Sequence, residues 1–364
     1  MPIILFIVIL SVLIFVHEFG HFYVARRFGI AVEEFGFGFP PRLWGRRRGQ
    51  TIYSLNWIPF GGFVRLQGEQ EDGDRRPDSF VNAKPSRQYA VIAAGVVMNA
   101  LLAWVLITAV LAMGVPTDTA SVPTDRFVQL SDVKTQTIVS DGSPTARAGI
   151  TTGDVIVAID GMAMKTTSDL IAYAQAKGYP TLNISYTHEG QTATATVAPE
   201  PSQDHPRYGF GLETLGTMSY PWYVAPWYGL TNSGRLLVQT IQGLWQVAVS
   251  FFQTGQVSSD VTGPVGIAVL TGQVSRLGAI ALLQFMAILS VSLAVVNFLP
   301  LPALDGGRAL FILIARLRGR PINRRIENLF HLAGFYALLL LVVLISIRDV
   351  RRFGIIERVM DIWK

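Results

Sequence analysis

Four stretches of the chain are apolar over close to the ~20 residues a helix needs to cross a bilayer: about Ile3 to Phe22, Ala90 to Met113, Ala279 to Leu299 and Leu329 to Ile347. Lipid offers the backbone no hydrogen-bond partner, so such stretches must close their hydrogen bonds internally, as helices. With 50% hydrophobic and 15% charged residues, the composition is that of a polytopic α-helical membrane protein with four transmembrane helices. A fifth stretch, Leu236 to Phe252, is uncharged but interrupted by Gln239, Gln242, Gly243 and Gln246. Periodicity does not separate a span from a helix lying in the interface there.

Charge sets the orientation. Eleven Lys or Arg lie between the first two spans and six between Asp305 and Asn328, which places both connections in the cytoplasm. The first span then runs from outside to inside, and the region between the second and third spans is extracytoplasmic. The five basic residues after Ile347 run against this scheme. The net charge of +5 sits mostly in arginines beside apolar segments, and no nucleic-acid recognition motif accompanies it, so nucleic-acid binding is excluded. No cysteine is present, which removes disulfides and thiolate ligands. The first segment has no basic residue before its apolar run and no small-residue cleavage site, and is read as a retained helix.

His17-Glu18-Phe19-Gly20-His21 lies at the end of the first span. Helical residues i and i+4 share a face, so His17 and His21 can present two imidazoles to one metal ion, with Glu18 beside them. This is the H-E-x-x-H arrangement of zinc hydrolases, in which Glu18 is the general base for water. A third ligand is still required. Asn297-Phe298-Leu299-Pro300-Leu301-Pro302-Ala303-Leu304-Asp305-Gly306-Gly307 offers Asp305, where two prolines break the helix and free backbone groups near the membrane edge. His331, at the start of the fourth span, is the competing ligand. If Leu236 to Phe252 crossed the bilayer, Asp305 would emerge about 30 Å from His17. Zinc bonds are about 2 Å long, so the fifth stretch is assigned to the interface.

The chain divides into residues 1–113 (two spans, the H-E-x-x-H motif and a membrane-surface β-region), 125–199, 200–278 (a linker and the interfacial helix) and 279–364 (two spans and the tail). Phe35 to Pro41, Thr51 to Leu55 and Phe60 to Val64 read as short strands broken by Gly and Pro, forming a small membrane-associated sheet. In the second span Gly95 and Asn99 share a face with small residues, and Asn99 must point into the bundle, as packing glue or as a substrate contact. Within 125–199, strands are expected over 135–139, 153–161, 182–187 and 192–197, with a short capped helix after Ser143 and a second from about Ser168 to Ala176. His188 and His205 read as exposed turn residues.

The run from Ser143 to Gly161 resembles a bacterial PDZ domain, which implies an extracytoplasmic module receiving a peptide or substrate tail. A plain β-sandwich spacer is the bland alternative. The two separated motifs, His17 to His21 and Asn297 to Gly306, with a PDZ between them, resemble the site-2 protease family of intramembrane zinc metalloproteases. Within the family the branch of the bacterial regulator of sigma-E protease is the most similar, and Gly263-Pro264-Val265-Gly266-Ile267 also resembles a family element. By that resemblance His17, His21 and Asp305 bind Zn2+, Glu18 is the catalytic base and Asn297 contacts substrate. The implied substrates are single-pass membrane proteins shortened beforehand by another protease, such as anti-sigma factors, and remnant signal peptides. The implied location is the bacterial inner membrane. Only one PDZ fits here, where the enteric type carries two.

A membrane-anchored PDZ scaffold without proteolytic activity is the competing reading, and Glu18 discriminates, because a scaffold has no use for a carboxylate beside a metal. A zinc transporter would need an inverted repeat or further intramembrane ligands, which the sequence lacks.

Overall fold

The computed structural model describes residues 2–69, 76–188, 190–201, 205–255, 261–320 and 322–354. In chain order the elements begin with α1 (Pro2–Arg27), β1 (Val32–Arg48), β2 (Thr51–Leu66) and α2 (Pro85–Met113). There follow β3 (Val115–Asp118), β4 (Gln129–Val139), α3 (Pro144–Arg147), β5 (Val155–Ile159), α4 (Thr167–Ala176), β6 (Leu182–His188), β7 (Gln191–Val197) and β8 (Phe210–Ser219). The chain then forms α5 (Ala225–Thr254), α6 (Pro264–Arg276), α7 (Ala279–Phe298), α8 (Asp305–Arg318) and α9 (Arg324–Arg352). Two compact units result: one from Met1–Val110 with Pro226–Lys364, the other Leu111–Ala225.

Among the described residues, four helices are long and apolar enough to cross a membrane: α1, α2, α7 and the Arg325–Arg352 part of α9. The stretch expected to lie in the interface is part of the 30-residue α5, which is not among those four. Helices α1 and α2 meet backbone to backbone. A Cβ added at Gly20 would stand 2.4 Å from the Ala94 carbonyl oxygen, so only glycine allows this crossing. Across α2, the Ser290 hydroxyl of α7 donates to the Asn99 carbonyl at 2.8 Å, and Ala103 and Val291 are buried together. Helix α6 was not legible as a helix; its N-terminus is held from α9 by Asp349, whose Oδ2 accepts from Gly263 N (2.9 Å) and Gly266 N (2.8 Å).

The membrane-associated sheet is larger than the expected short strands. β1 and β2 pair antiparallel across the Gly49-Gln50 turn, where Gly49 has φ +65. Both strands bend back on themselves. Residues 35–37 pair with 53–55 on one side and with 62–64 on the other, while 44–48 pair with 51–55, so four segments lie side by side. Gly38 and Gly61, at φ +77 and +69, mark the bends. Glu34 is buried in this sheet and ion-paired to Arg42 at 2.7 Å. Burial alone would raise its pKa, but hydrogen bonds from Ser54 and Arg42 outweigh that and hold the carboxyl below its ordinary value.

The second unit is a six-stranded sheet in the order β3-β8-β4-β5-β6-β7. Helix α3 is capped by Ser143, whose hydroxyl accepts from Ala146 N, and α4 opens on a capping box between Thr166 and Asp169. Asp160 and Gly161, at φ 49 and 78, make the expected tight turn after β5. Ile150, Ile159, Leu182 and Ile184 form the fully buried centre of its core. Two features differ from expectation. β8 lies in a stretch that reads as linker, yet it pairs with both β3 and β4. His188 is exposed as expected, but it ends β6 instead of lying in a turn, and it pairs with the buried Asp154 at 2.6 Å.

Candidate metal centre

The last turns of α1 bring His17 and His21 to one face, where both are buried. Asp305 reaches them from the first turn of α8. The chain breaks after Phe298, passes Ala303 at φ +67 and restarts as α8, with Ala303 N donating to His331 Nδ1 at 3.0 Å. Gly306 and Gly307 make the tight return possible: a Cβ on either would stand 2.2 Å from a carbonyl oxygen, of Leu299 and Leu301 respectively. His331 is thus a prop for the loop and lies outside the cluster, whereas α2 and α7 return the chain so that Asp305 meets His17.

His17 Nε2 is 2.9 Å from Asp305 Oδ2, His21 Nε2 is 3.2 Å from the same oxygen, and the two Nε2 atoms are 3.1 Å apart. Around zinc with bonds of about 2.0–2.1 Å, tetrahedral ligand atoms stand about 3.3 Å apart, so the triangle has the dimensions of three zinc ligands. Among the described residues these three form a group able to hold a metal ion. Their surroundings fit as well. His21 Nδ1–H donates to the Val91 carbonyl at 2.8 Å, which leaves the Nε2 lone pair facing the centre. Asn99 is fully buried, with its amide 3.4 Å from His17 Nδ1 and its Oδ1 without a partner among the described residues. Both groups are satisfied when the amide turns Oδ1 to the ring. His17 Nδ1–H then donates to it and His17 Nε2 is likewise free to ligate.

Glu18 does not join the triangle. Its Oε2 accepts from Val64 N at 3.1 Å, on the sheet segment that lines one wall of a cavity of about 270 Å³ shared with His21 and Asp305. Asn297, the penultimate residue of α7, places its amide nitrogen 3.5 Å from His17 Nε2. The sequence-expected residues His17, Glu18, His21, Asn99, Asn297 and Asp305 therefore meet in one place. Sequence reasoning missed Val64 as the holder of Glu18, and it missed the ion pair between Arg308 and Glu69 at the rim of the same cavity.

The profile of peptidase family M50 matches residues 5–341, nearly the whole chain including both halves of this centre. The chain belongs to peptidase family M50. M50 members are the site-2 proteases, membrane zinc metalloproteases, and this chain is a membrane zinc metalloprotease of that family. Relatives match end to end. A Clostridium perfringens protein whose name assigns it provisionally to the zinc metalloproteases is 35% identical over 350 residues, 93% of this chain and 96% of the relative. The regulator of sigma-W protease RasP of Bacillus subtilis is 28% identical over 96% of this chain and 98% of its own, and the zinc metalloprotease RasP of Geobacillus kaustophilus 29% over the same shares.

Proposed function

We propose that this M50 protease is an intramembrane endopeptidase in which His17, His21 and Asp305 hold zinc and Glu18 is the catalytic base. The observation that carries the reading is the triangle of ligand atoms, 2.9, 3.1 and 3.2 Å on its sides, with the Glu18 carboxylate beside it. Zinc, when bound, supplies Lewis acidity to water and to a peptide carbonyl. Glu18, steadied by Val64 N–H, takes a proton from the attacking water and passes it to the leaving nitrogen. Asn99 fixes the His17 ring; its complete burial favours this role over substrate contact. Asn297 is half-buried beside His17 and can donate to a substrate carbonyl. A peptide in a helix has its carbonyls occupied, so the substrate must unwind, and the 62–64 segment supplies a strand against which extended backbone can lie.

The substrates we infer are single-pass membrane proteins such as anti-sigma factors, cut after a first extracytoplasmic cleavage by another protease. Remnant signal peptides are a second class. A relative named as a regulator of sigma-W protease supports the first class. Leu111–Ala225 is read as a PDZ domain extended by β3 and β8, on the extracytoplasmic side of a bacterial inner membrane, where it selects substrates by their tails or their size. The test is Glu18→Gln. The amide is nearly isosteric but accepts no proton, so purified variant should keep zinc and lose cleavage of a model transmembrane substrate by at least a hundredfold. Undiminished cleavage with zinc bound would remove Glu18 from the mechanism.

A further inference from the structure

The chamber that holds Glu18, His21 and Asp305 does not end at the metal centre. A second cavity, of about 590 Å³, lies against it, and the two share Glu69, Phe80, Ile92 and Arg308 in their walls. Phe80 and Ile92 are inert there. Arg308 and Glu69 are the charged pair in the shared wall, joined guanidinium to carboxylate across 239 residues of chain. Arg308 stands three residues after Asp305 on α8. Its side chain is 41% exposed while that of Glu69 is 12% exposed, so the cation is the accessible member of the pair. Beyond it, the larger cavity adds Arg316, Arg320 and Glu327, so that its own lining carries three arginines and two glutamates.

We propose that Arg308 is the binding site for the new C-terminal carboxylate of the cut peptide, and that it exchanges Glu69 for that carboxylate as the product leaves the chamber for the second cavity. The inference rests on the proteolytic reading above. Hydrolysis breaks the C–N bond and joins the water oxygen to the acyl carbon. Both water hydrogens end on the leaving nitrogen as an ammonium group, so the acyl fragment is left as a carboxylate. An uncut peptide bond carries no charge; the product carries one, in a chamber walled by Phe63, Val64, Val91 and Ile92. A carboxylate in such surroundings is costly unless a cation with hydrogen-bond donors meets it. A guanidinium offers five N–H donors in a planar fork, more than one carboxylate can occupy, which suits a hand-over from one carboxylate to another. Because the charge exists only after the cut, Arg308 acts on product and ignores substrate.

The probes are two fluorescent apolar peptides of one sequence, one ending in a free carboxylate and the other in a carboxamide, titrated onto zinc-loaded Glu18→Gln protein in detergent. Binding is read by anisotropy and zinc content is measured for each variant. The parent should prefer the carboxylate by about tenfold, the size expected of one charge-assisted pair at a partly exposed site. Arg308→Gln should abolish the preference, Arg308→Lys should keep about threefold of it, and Glu69→Gln should enlarge it by removing the competitor. The opposite signs matter, since a merely structural ion pair would make both neutral variants weaken together. No preference in the parent, full preference in zinc-loaded Arg308→Gln, none in zinc-loaded Arg308→Lys, or a smaller one in Glu69→Gln would each overturn the proposal. Binding is read without turnover, so a chain that fails to cleave substrate yet binds the carboxylate through Arg308 would count against the proteolytic reading alone.

Discussion

Gly95 faces His21 across the α1–α2 crossing so closely that a Cβ at Gly95 would stand 2.4 Å from His21 Nε2. The same atom would lie 2.7 Å from His17 Nε2, inside the space the metal centre uses. Gly95→Ala should therefore push the imidazoles off their shared point and weaken zinc binding by at least tenfold, as read by chelator competition. Gly234→Ala on α5, where a Cβ meets nothing within 4 Å, is the matched control and should leave zinc binding unchanged. Equal zinc affinity in both would mean that the metal lies elsewhere.

Removing a ligand differs from crowding it. His17→Ala, His21→Ala and Asp305→Ala should each lose zinc and proteolysis together, and chelator-treated parent protein should regain activity when zinc is returned. A fully metallated, active Asp305→Ala would assign the third position to another residue.

Asn99 offers a finer test, because it touches a ring and not the metal. Asn99→Leu should raise the zinc dissociation constant about ten- to hundredfold, the range for a lost partner of a ligating histidine. Asn99→Asp keeps an acceptor opposite His17 Nδ1 and should stay within a few fold of the parent. Identical losses in both variants would show that packing, and not the hydrogen bond, is what Asn99 supplies.

Much of this centre could be read from sequence because its two halves are local patterns. His17 and His21 are one helical turn apart, and the proline-broken run into Asp305-Gly306-Gly307 announces a helix restart within a few residues. What binds the halves to the rest was not legible. The Asn99 contact joins residues 82 apart, the Arg308–Glu69 pair 239, and the Asp349 hold on α6 83 to 86. Periodicity carries no information at such separations. Arg42 to Arg48 was hidden for another reason: its arginines weigh in the orientation argument, which gives no hint that the backbone carrying them is strand. Helix α6 is 13 residues long, too short to span, and contains Gly266 and Gly272. β8 contains Gly211 and Gly216 and becomes a strand through β3 and β4 on its two sides.

Asp349 is buried, and its Oδ2 is shared by two backbone N–H groups at the start of α6. Asp349→Ala would leave both groups unpaired, at a cost of about 2–4 kcal/mol. Asp349→Asn keeps an acceptor and should lose less. Thermal unfolding in detergent should rank parent, Asn and Ala in that order with zinc content unchanged; no difference between parent and Ala would show that α6 is held by packing alone.

The place of β8 changes how the Leu111–Ala225 unit should be removed. Excising 125–199 would strip β4 from β8 and expose a sheet edge, whereas a cut from Pro116 to Ser219 takes the whole sheet apart from Val115. With a short Gly/Ser linker, the second form should keep zinc, cleave a pre-shortened substrate and begin to cleave the full-length substrate that the parent leaves alone. If it rejects full-length substrate as strictly as the parent does, discrimination resides in the membrane unit.

His17 and Asp305 are separated by 288 residues, yet they meet at 2.9 Å. A ribosome making this chain sets down the first half of the centre 288 residues before the second. Until then no fragment owns all three ligand atoms. With the proposed ligand set, the order of the sequence is itself a delay: the centre cannot close before α8 has followed α1, α2 and α7 out of the ribosome.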